Sequence, residues 1–73
     1  MAEIKILAEV AGRVCSLSAD VGASLGDGDD VIVVEAMKME IPVSSPAAGT
    51  LKSVLVKVDD MIEEGQAVAI IEA

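Results

Sequence analysis

Phenylalanine, tyrosine, tryptophan and histidine are all absent from this sequence of 73 residues. Without histidine, no side chain has an unperturbed pKa close to neutral pH, so acid–base catalysis by this chain alone is disfavoured. Without aromatic residues, the core must be packed from aliphatic side chains and methionine. A domain of this length buries only about 60% of the surface that its unfolded chain exposes, which disfavours a deep cleft. We therefore expect a domain that is not itself an enzyme.

Basic residues are scarce. The sequence has 5 lysine and arginine residues against 13 aspartate and glutamate residues, and its formal net charge is −8. The basic residues are scattered and form no cluster that could bind phosphate backbones or anionic lipids. No nucleic-acid or membrane partner is expected. No metal site is expected either, because Asp27, Asp29 and Asp30 lack the distant glutamate of a calcium-binding loop.

Cys15 is the only cysteine, so the chain cannot form an internal disulfide. We predict that Cys15 is a small buried residue within a strand, since unpaired cysteine commonly packs as an apolar side chain. The first residues include Glu3 and lack the apolar core of a signal peptide. The longest uncharged run, residues 41–51, is much shorter than the roughly 20 apolar residues of a membrane helix. A cytoplasmic location is therefore expected, in keeping with the absence of disulfides.

An internal repeat organises the whole chain. When residues 4–36 are aligned with residues 41–73 at a constant offset of 37, nine positions are identical. These are Ile4/Ile41, Ala11/Ala48, Gly12/Gly49, Ser16/Ser53, Val21/Val58, Gly28/Gly65, Val31/Val68, Glu35/Glu72 and Ala36/Ala73. Many other pairs preserve polarity, which indicates two related halves. Residues 37–40, which include Lys38, join the two halves.

The secondary-structure pattern is that of short β-strands. Runs rich in β-branched residues, bounded by glycine, aspartate and proline, predict strands. The predicted strands are residues 4–10, 13–17, 31–35, 51–58 and 67–71. The equivalent segments 22–27 and 59–64 are predicted to be loops, because two glycines in the first make a helix costly. Each loop should place one apolar side chain, Leu25 or Ile62, in the core.

Two such halves, each unable to cover its own apolar face, should stack as a sandwich or flattened barrel. The first half must turn directly into the second, so residues 37–40 are predicted to form a tight hairpin at one end of the domain. The chain termini are expected together at the opposite end. This arrangement would present Lys38 to solvent.

Residues 35–39, Glu-Ala-Met-Lys-Met, resemble the Ala-Met-Lys-Met signature of the biotinyl domains of biotin-dependent carboxylases, transcarboxylases and decarboxylases. The resemblance covers essentially the whole chain, because apolar and glycine positions on both sides of the motif also match. These positions are Val21, Leu25, Gly28 and Val31 before it, and Pro46, Gly49, Val58, Ile62, Gly65 and Val68 after it. The resemblance implies an all-β fold for a single domain of residues 1–73: a flattened β-barrel of two four-stranded antiparallel sheets related by a quasi-dyad.

The resemblance also implies a function and a site. Lys38 would be the residue to which a biotin protein ligase attaches biotin, and the arm so formed would carry a carboxyl group between a biotin carboxylase and a carboxyltransferase. Ala36, Met37 and Met39 would form the motif that the ligase recognises, with Glu35 beside it. Structural roles stay open for three of these residues. The two methionines could cap the ends of the sandwich. Glu35 has an equivalent, Glu72, in the second half, so it could simply keep a strand end solvated.

Two other functions remain open. A lipoyl carrier domain shares the architecture, but it typically has Asp-Lys-Ala around the lysine in place of Met-Lys-Met. An unmodified β-sandwich that serves as an interaction module would make Lys38 an ordinary turn residue. The methionines at the repeat junction favour the biotinyl interpretation over both.

The sequence departs from the biotinyl pattern in two places. Asp59 and Asp60 stand where the family usually has Gly-Asp, and the turn should survive because aspartate tolerates a left-handed backbone. The extra loop of many bacterial acetyl-CoA carboxylase carriers is lacking between Leu17 and Asp20, so the resemblance is to thumbless biotinyl domains. The sequence leaves open the acceptor of the carboxyl group, and whether the chain is a free-standing subunit or an excised domain.

Overall fold

The computed structural model describes residues 2–73, which form eight β-strands and no helix. The strands are β1 Glu3–Leu7, β2 Gly12–Leu17, β3 Ser24–Leu25, β4 Asp30–Ala36, β5 Met39–Ser44, β6 Gly49–Val54, β7 Met61–Ile62 and β8 Ala67–Glu72. No helix capable of spanning a lipid bilayer is therefore found in the described part of the chain.

The strands form two four-stranded antiparallel sheets, with the orders β1-β8-β6-β3 and β5-β4-β2-β7. Exchanging each strand of the first half with its counterpart four strands later converts one order into the other. Equivalent residues also pair equivalently: Glu3 lies opposite Glu72 in one sheet, and Glu40 lies opposite Glu35 in the other. The predicted all-β sandwich with quasi-two-fold symmetry is confirmed.

The core lies between the two sheets and is mainly aliphatic. Its largest fully buried apolar side chains are Ile6, Val14, Val31, Ile32, Val34, Leu51, Val68 and Ile71. Leu25 and Ile62 are also buried, as their pattern predicted. Burial of one such side chain contributes about 1.5–3 kcal/mol, so this layer can hold the sheets together without an aromatic residue.

Segments 22–27 and 59–64 are not loops throughout, and in this respect the prediction was wrong. Ser24–Leu25 and Met61–Ile62 form the two-residue strands β3 and β7, which pair with β6 and β2 respectively. A strand of two residues is too short to show an alternating pattern, so only its pairing partner reveals it.

Strand β5 was not indicated by the apolar runs, because Pro42 interrupts its pattern. The structure places β5 at the edge of its sheet. Proline has no N–H to donate, and an edge strand tolerates this because it is paired on one side only. The equivalent position in β1, the corresponding edge strand of the other sheet, is Lys5. Proline and lysine both discourage pairing of an exposed edge with another chain.

Cys15 lies within β2 as predicted, but it is only partly buried. In the ladder with β4, Val14 lies opposite Val34 and Ser16 lies opposite Val33, so Cys15 is an extra residue at a register shift. A bulge of this kind bends the strand and removes the extra side chain from the regular alternation. The full burial expected from residue type alone is therefore not reached.

Candidate functional site

The turn between β4 and β5 contains only Met37 and Lys38. Ala36 and Met39 lie opposite each other as the last pair of the β4–β5 ladder, so the connection is shorter than the predicted bridge of residues 37–40. Met37 and Lys38 have φ values of 53° and 63°, both in the left-handed region. Two consecutive left-handed residues in a two-residue hairpin correspond to a type I′ turn, whose twist matches that of the flanking strands.

Both turn residues are strained. A type I′ turn favours Asn-Gly or Gly-Gly, whereas the Cβ atoms of Met37 and Lys38 crowd the backbone in the left-handed region. A non-glycine residue held there costs of the order of 1–3 kcal/mol. The paired strands β4 and β5 hold the turn in place. Because such strain is concentrated at functional sites, the side chains of these two residues are indicated as the functional feature.

The side chains at this turn lie in solvent. Met37 is 93% exposed, so it does not cap the core, and Met39 is 63% exposed. Lys38 is exposed as well. Within residues 2–73, the ion pairs involve Arg13 and Lys52, and Lys38 takes part in none of them. The amine of Lys38 is therefore accessible to the active site of another protein, between two adaptable thioether side chains.

Glu35, at the base of the hairpin, is held by Arg13. The two residues lie opposite each other across β2 and β4, and Arg13 Nη2 lies 3.2 Å from Glu35 Oε1. Arg13 Nη1 also donates a hydrogen bond to Asp59 Oδ1. The hydrogen bond to Glu35, followed by that to Asp59, raises the pKa of the Arg13 guanidinium above its ordinary value. Arg13 thus links β4 to the segment before β7.

Glu35 and Glu40 lie opposite each other on β4 and β5. Like charges in this position destabilise an antiparallel pair. Arg13 offsets the charge of Glu35, whereas no ion pair is formed by Glu40 in the part of the chain that the structure describes. The surface around Lys38 consequently carries acidic side chains, one of them, Glu40, without a paired cation among the described residues.

The sequence reasoning missed Arg13 and Asp59 as neighbours of the hairpin. They are separated by 46 positions, so only the fold brings them together. The repeat contained one usable signal, because Asp59 stands where the first half has Gly22. Asp59 has φ 78° and Gly22 has φ 95°, which confirms that aspartate sustains the left-handed turn.

The exposed amine of Lys38 offers an attachment point at the hairpin. A depression of about 460 Å³ lies elsewhere, and its lining includes Lys5, Pro46 and Gly65 but no residue of the turn. No group of three potential metal ligands occurs within residues 2–73. An exposed primary amine such as that of Lys38 is suited to an amide bond with a carboxylic acid.

Comparisons with known proteins agree with this geometry. The biotin/lipoyl family model, described as "Biotin-requiring enzyme", matches residues 9–71. The biotinylated protein TB7.3 homolog of Mycobacterium leprae is 39% identical over 66 residues, which are 90% of this chain and 93% of that protein. Pyruvate carboxylase of Bacillus subtilis is 39% identical over 67 residues, which are 92% of this chain but only 6% of that enzyme.

Among solved structures, the urea carboxylase of Kluyveromyces lactis contains a similar region. It superposes with a TM-score of 0.94 at 36% identity and covers 99% of this chain. The chain spans only 6% of the length of that enzyme. The similarity therefore concerns one small domain of a large protein.

Proposed function

The chain belongs to the biotin/lipoyl family of biotin-requiring proteins, and we propose that Lys38 is the residue that carries biotin. The observation that supports this most strongly is the position of Lys38: it is an exposed lysine in a strained two-residue turn between the halves of the repeat. Ala36, Met37 and Met39 are proposed as the motif read by a biotin protein ligase, with Glu35 at its edge.

The chain is proposed to act as a carrier and not as a catalyst. Nζ of Lys38 forms an amide bond with the activated carboxyl carbon of the cofactor. The activating nucleotide leaves with the electron pair of the broken bond, and a proton from the amine passes to the ligase or to solvent. When bound, biotin supplies a ureido nitrogen that can accept and release a carboxyl group.

The part of this chain in the reaction is positioning. The β4–β5 ladder fixes the base of the lysine, while its side chain supplies flexible reach. Tethering in this way raises the effective concentration of the attached group at the sites that it visits. The acidic residues beside the turn, Glu35 and Glu40, help to orient the carrier towards basic partner surfaces.

Three partners are proposed by class: a biotin protein ligase, a biotin carboxylase and a carboxyltransferase. Support for the carboxylase partnership comes from large carboxylases that include a region similar to this chain. The proposal places the carrier in the cytoplasm. It also treats residues 1–73 as one attachment domain, with halves 4–36 and 41–73 joined at the hairpin.

The test is intact-mass measurement of the protein co-expressed with a biotin protein ligase. A biotinyl increment that is lost in Lys38→Ala and kept in Lys57→Ala supports the proposal, because Lys57 is another exposed lysine that lies outside the turn. A lipoyl increment at Lys38 would favour the lipoyl carrier. Absence of any increment would favour an unmodified interaction module.

A further inference from the structure

Because a quasi-dyad relates the two halves, each residue at one end of the molecule can be compared with its equivalent at the other end. At the hairpin end, the N–H of Asp59 donates to the carbonyl of Val14 at 2.8 Å. At the other end, where the N–H of Ala73 donates to the carbonyl of Ala2, the N–H of Gly22 donates to the carbonyl of Leu51 at 2.7 Å. Because the two backbones match, side-chain differences between these ends reflect what each end does.

Some of these differences lie beside the hairpin. Three positions near Lys38 carry Arg13, Asp59 and Met61, whereas the equivalent positions at the other end carry the smaller residues Thr50, Gly22 and Ser24. Glycine suits the left-handed backbone at Gly22, but Asp59 occupies the same region at a cost in strain. The carboxylate of Asp59 is then used to bind Arg13.

Met61 lies beside this group. It is opposite Arg13 across β7 and β2, and Arg13 is opposite Glu35 across β2 and β4. Residues opposite one another in a sheet project from the same face, and neighbouring strands lie about 4.8 Å apart. Met61 is therefore roughly two strand spacings, about 10 Å, from Glu35. It is 72% exposed, so a large apolar side chain is left in water next to the turn.

We propose that Met61 extends the docking surface of the ligase that acylates Lys38 beyond the hairpin itself, with Arg13 as a positioning residue. This inference rests on the proposed function. The ligase must reach an amine only one lysine side chain from the protein body, so its surface necessarily lies against the hairpin end. A partner enzyme that binds the attached group reaches it on the longer, acylated lysine arm. Its surface therefore does not have to contact the hairpin end.

The side chains of this surface indicate what the contacting surface of the ligase should contain. The exposed side chain of Met61 would fit an apolar recess on the ligase, since methionine is an adaptable contact residue. The surrounding acids, Glu35, Glu40 and Asp59, outnumber the cations Arg13 and Lys38 and favour basic residues around that recess. Arg13 acts as a positioning residue, because its bonds to Glu35 and Asp59 hold the hairpin base and the β7 segment in one arrangement.

The experiment is steady-state labelling with a ligase that biotinylates the wild-type chain. Met61→Ser installs the residue of the equivalent position, Ser24, and should raise KM for the carrier about fivefold with kcat unchanged, as expected for lost binding. Met61→Leu should restore KM to within about twofold of wild type. The matched control is Val21→Ser, which removes an apolar side chain that is 63% exposed and belongs to the loop of Gly22 at the other end. Its KM should not change.

The outcomes separate the two proposals. Wild-type KM in Met61→Ser, or an equal rise in Val21→Ser, would overturn the docking surface while Lys38 is still labelled. Unchanged thermal midpoints in the variants exclude unfolding as the cause of a raised KM. A wild-type chain that acquires no biotin at Lys38 would overturn the proposed function, and the docking surface with it.

Discussion

Gly12 lies directly against the backbone of Glu35, at the base of the hairpin. A Cβ atom at position 12 would lie 2.3 Å from the carbonyl oxygen of Glu35 and 2.7 Å from a methyl group of Val34. At the equivalent position, a Cβ on Gly49 would lie 2.7 Å from the carbonyl oxygen of Glu72. Both halves thus need glycine where β2 and β6 begin, and this close approach brings Arg13 alongside Glu35.

Gly12→Ala should therefore be costly. Backbone atoms cannot move aside as a flexible side chain can, so we expect the free energy of unfolding to fall by about 1–3 kcal/mol in urea titrations. Gly49→Ala is the matched control: it should lose comparable stability, but at temperatures where both variants are folded only Gly12→Ala should slow the labelling of Lys38. Wild-type stability in Gly12→Ala would contradict this close packing.

Met37→Ala should separate recognition from stability. Met37 is 93% exposed, so its removal creates no cavity and the thermal midpoint should stay close to that of wild type. Labelling of Lys38, or the later carboxyl transfer, should slow by about fivefold if the thioether is a contact residue. Initial rates and a thermal melt measure the two effects, and wild-type rates for both reactions would refute the assignment.

Met37→Asn should move stability and labelling in opposite directions. Asparagine enters the left-handed region more readily than methionine, so the variant should gain about 1 kcal/mol in the free energy of unfolding. It also lacks the thioether, so labelling should be slower. The matched control is Met39→Asn, the same change at an exposed methionine whose φ is not positive, and it should bring no gain in stability. A loss of stability in Met37→Asn would show that the left-handed turn is not strained at this residue.

Asp59 combines backbone strain with an ion pair, and two substitutions separate these effects. Asp59→Ala loses the bond to Arg13 and keeps an unfavourable left-handed φ, whereas Asp59→Gly loses the same bond but relieves the strain. The glycine variant should be the more stable of the two by about 1 kcal/mol. Chemical denaturation at low and high salt would measure this difference, and both variants should depend less on salt than wild type. Equal stabilities would contradict strain at Asp59.

The sequence allowed much of the fold to be predicted. Five of the eight strands follow from β-branched runs, although the predicted strands 4–10 and 51–58 end earlier, at Leu7 and Val54. In the β1–β8 ladder a register shift lies between Ile6 and Leu7, at the end of β1, whereas in the β6–β8 ladder the shift lies between Leu51 and Ser53, inside β6. Strands β3 and β7 exist only because β6 and β2 offer them partners, so no local pattern could have revealed them.

The candidate site was only partly accessible to prediction. The motif around Lys38 and its place between the repeated halves were visible, and the family that they indicated is confirmed by the match over residues 9–71. The role of Lys38 itself stays a prediction until it is tested. The link from Glu35 through Arg13 to Asp59 was not visible, because it joins residues that are far apart in the chain.

The sequence by itself determined the two-fold repeat, the aliphatic core and the position of Lys38 at the junction of the halves, because these depend on the order and spacing of residues along the chain. Only the tertiary structure decided that Met37 and Lys38 both adopt left-handed conformations, and that Arg13 and Met61 lie beside the hairpin. Those features depend on strand register and long-range pairing, in which distant residues become neighbours through the closure of the two sheets.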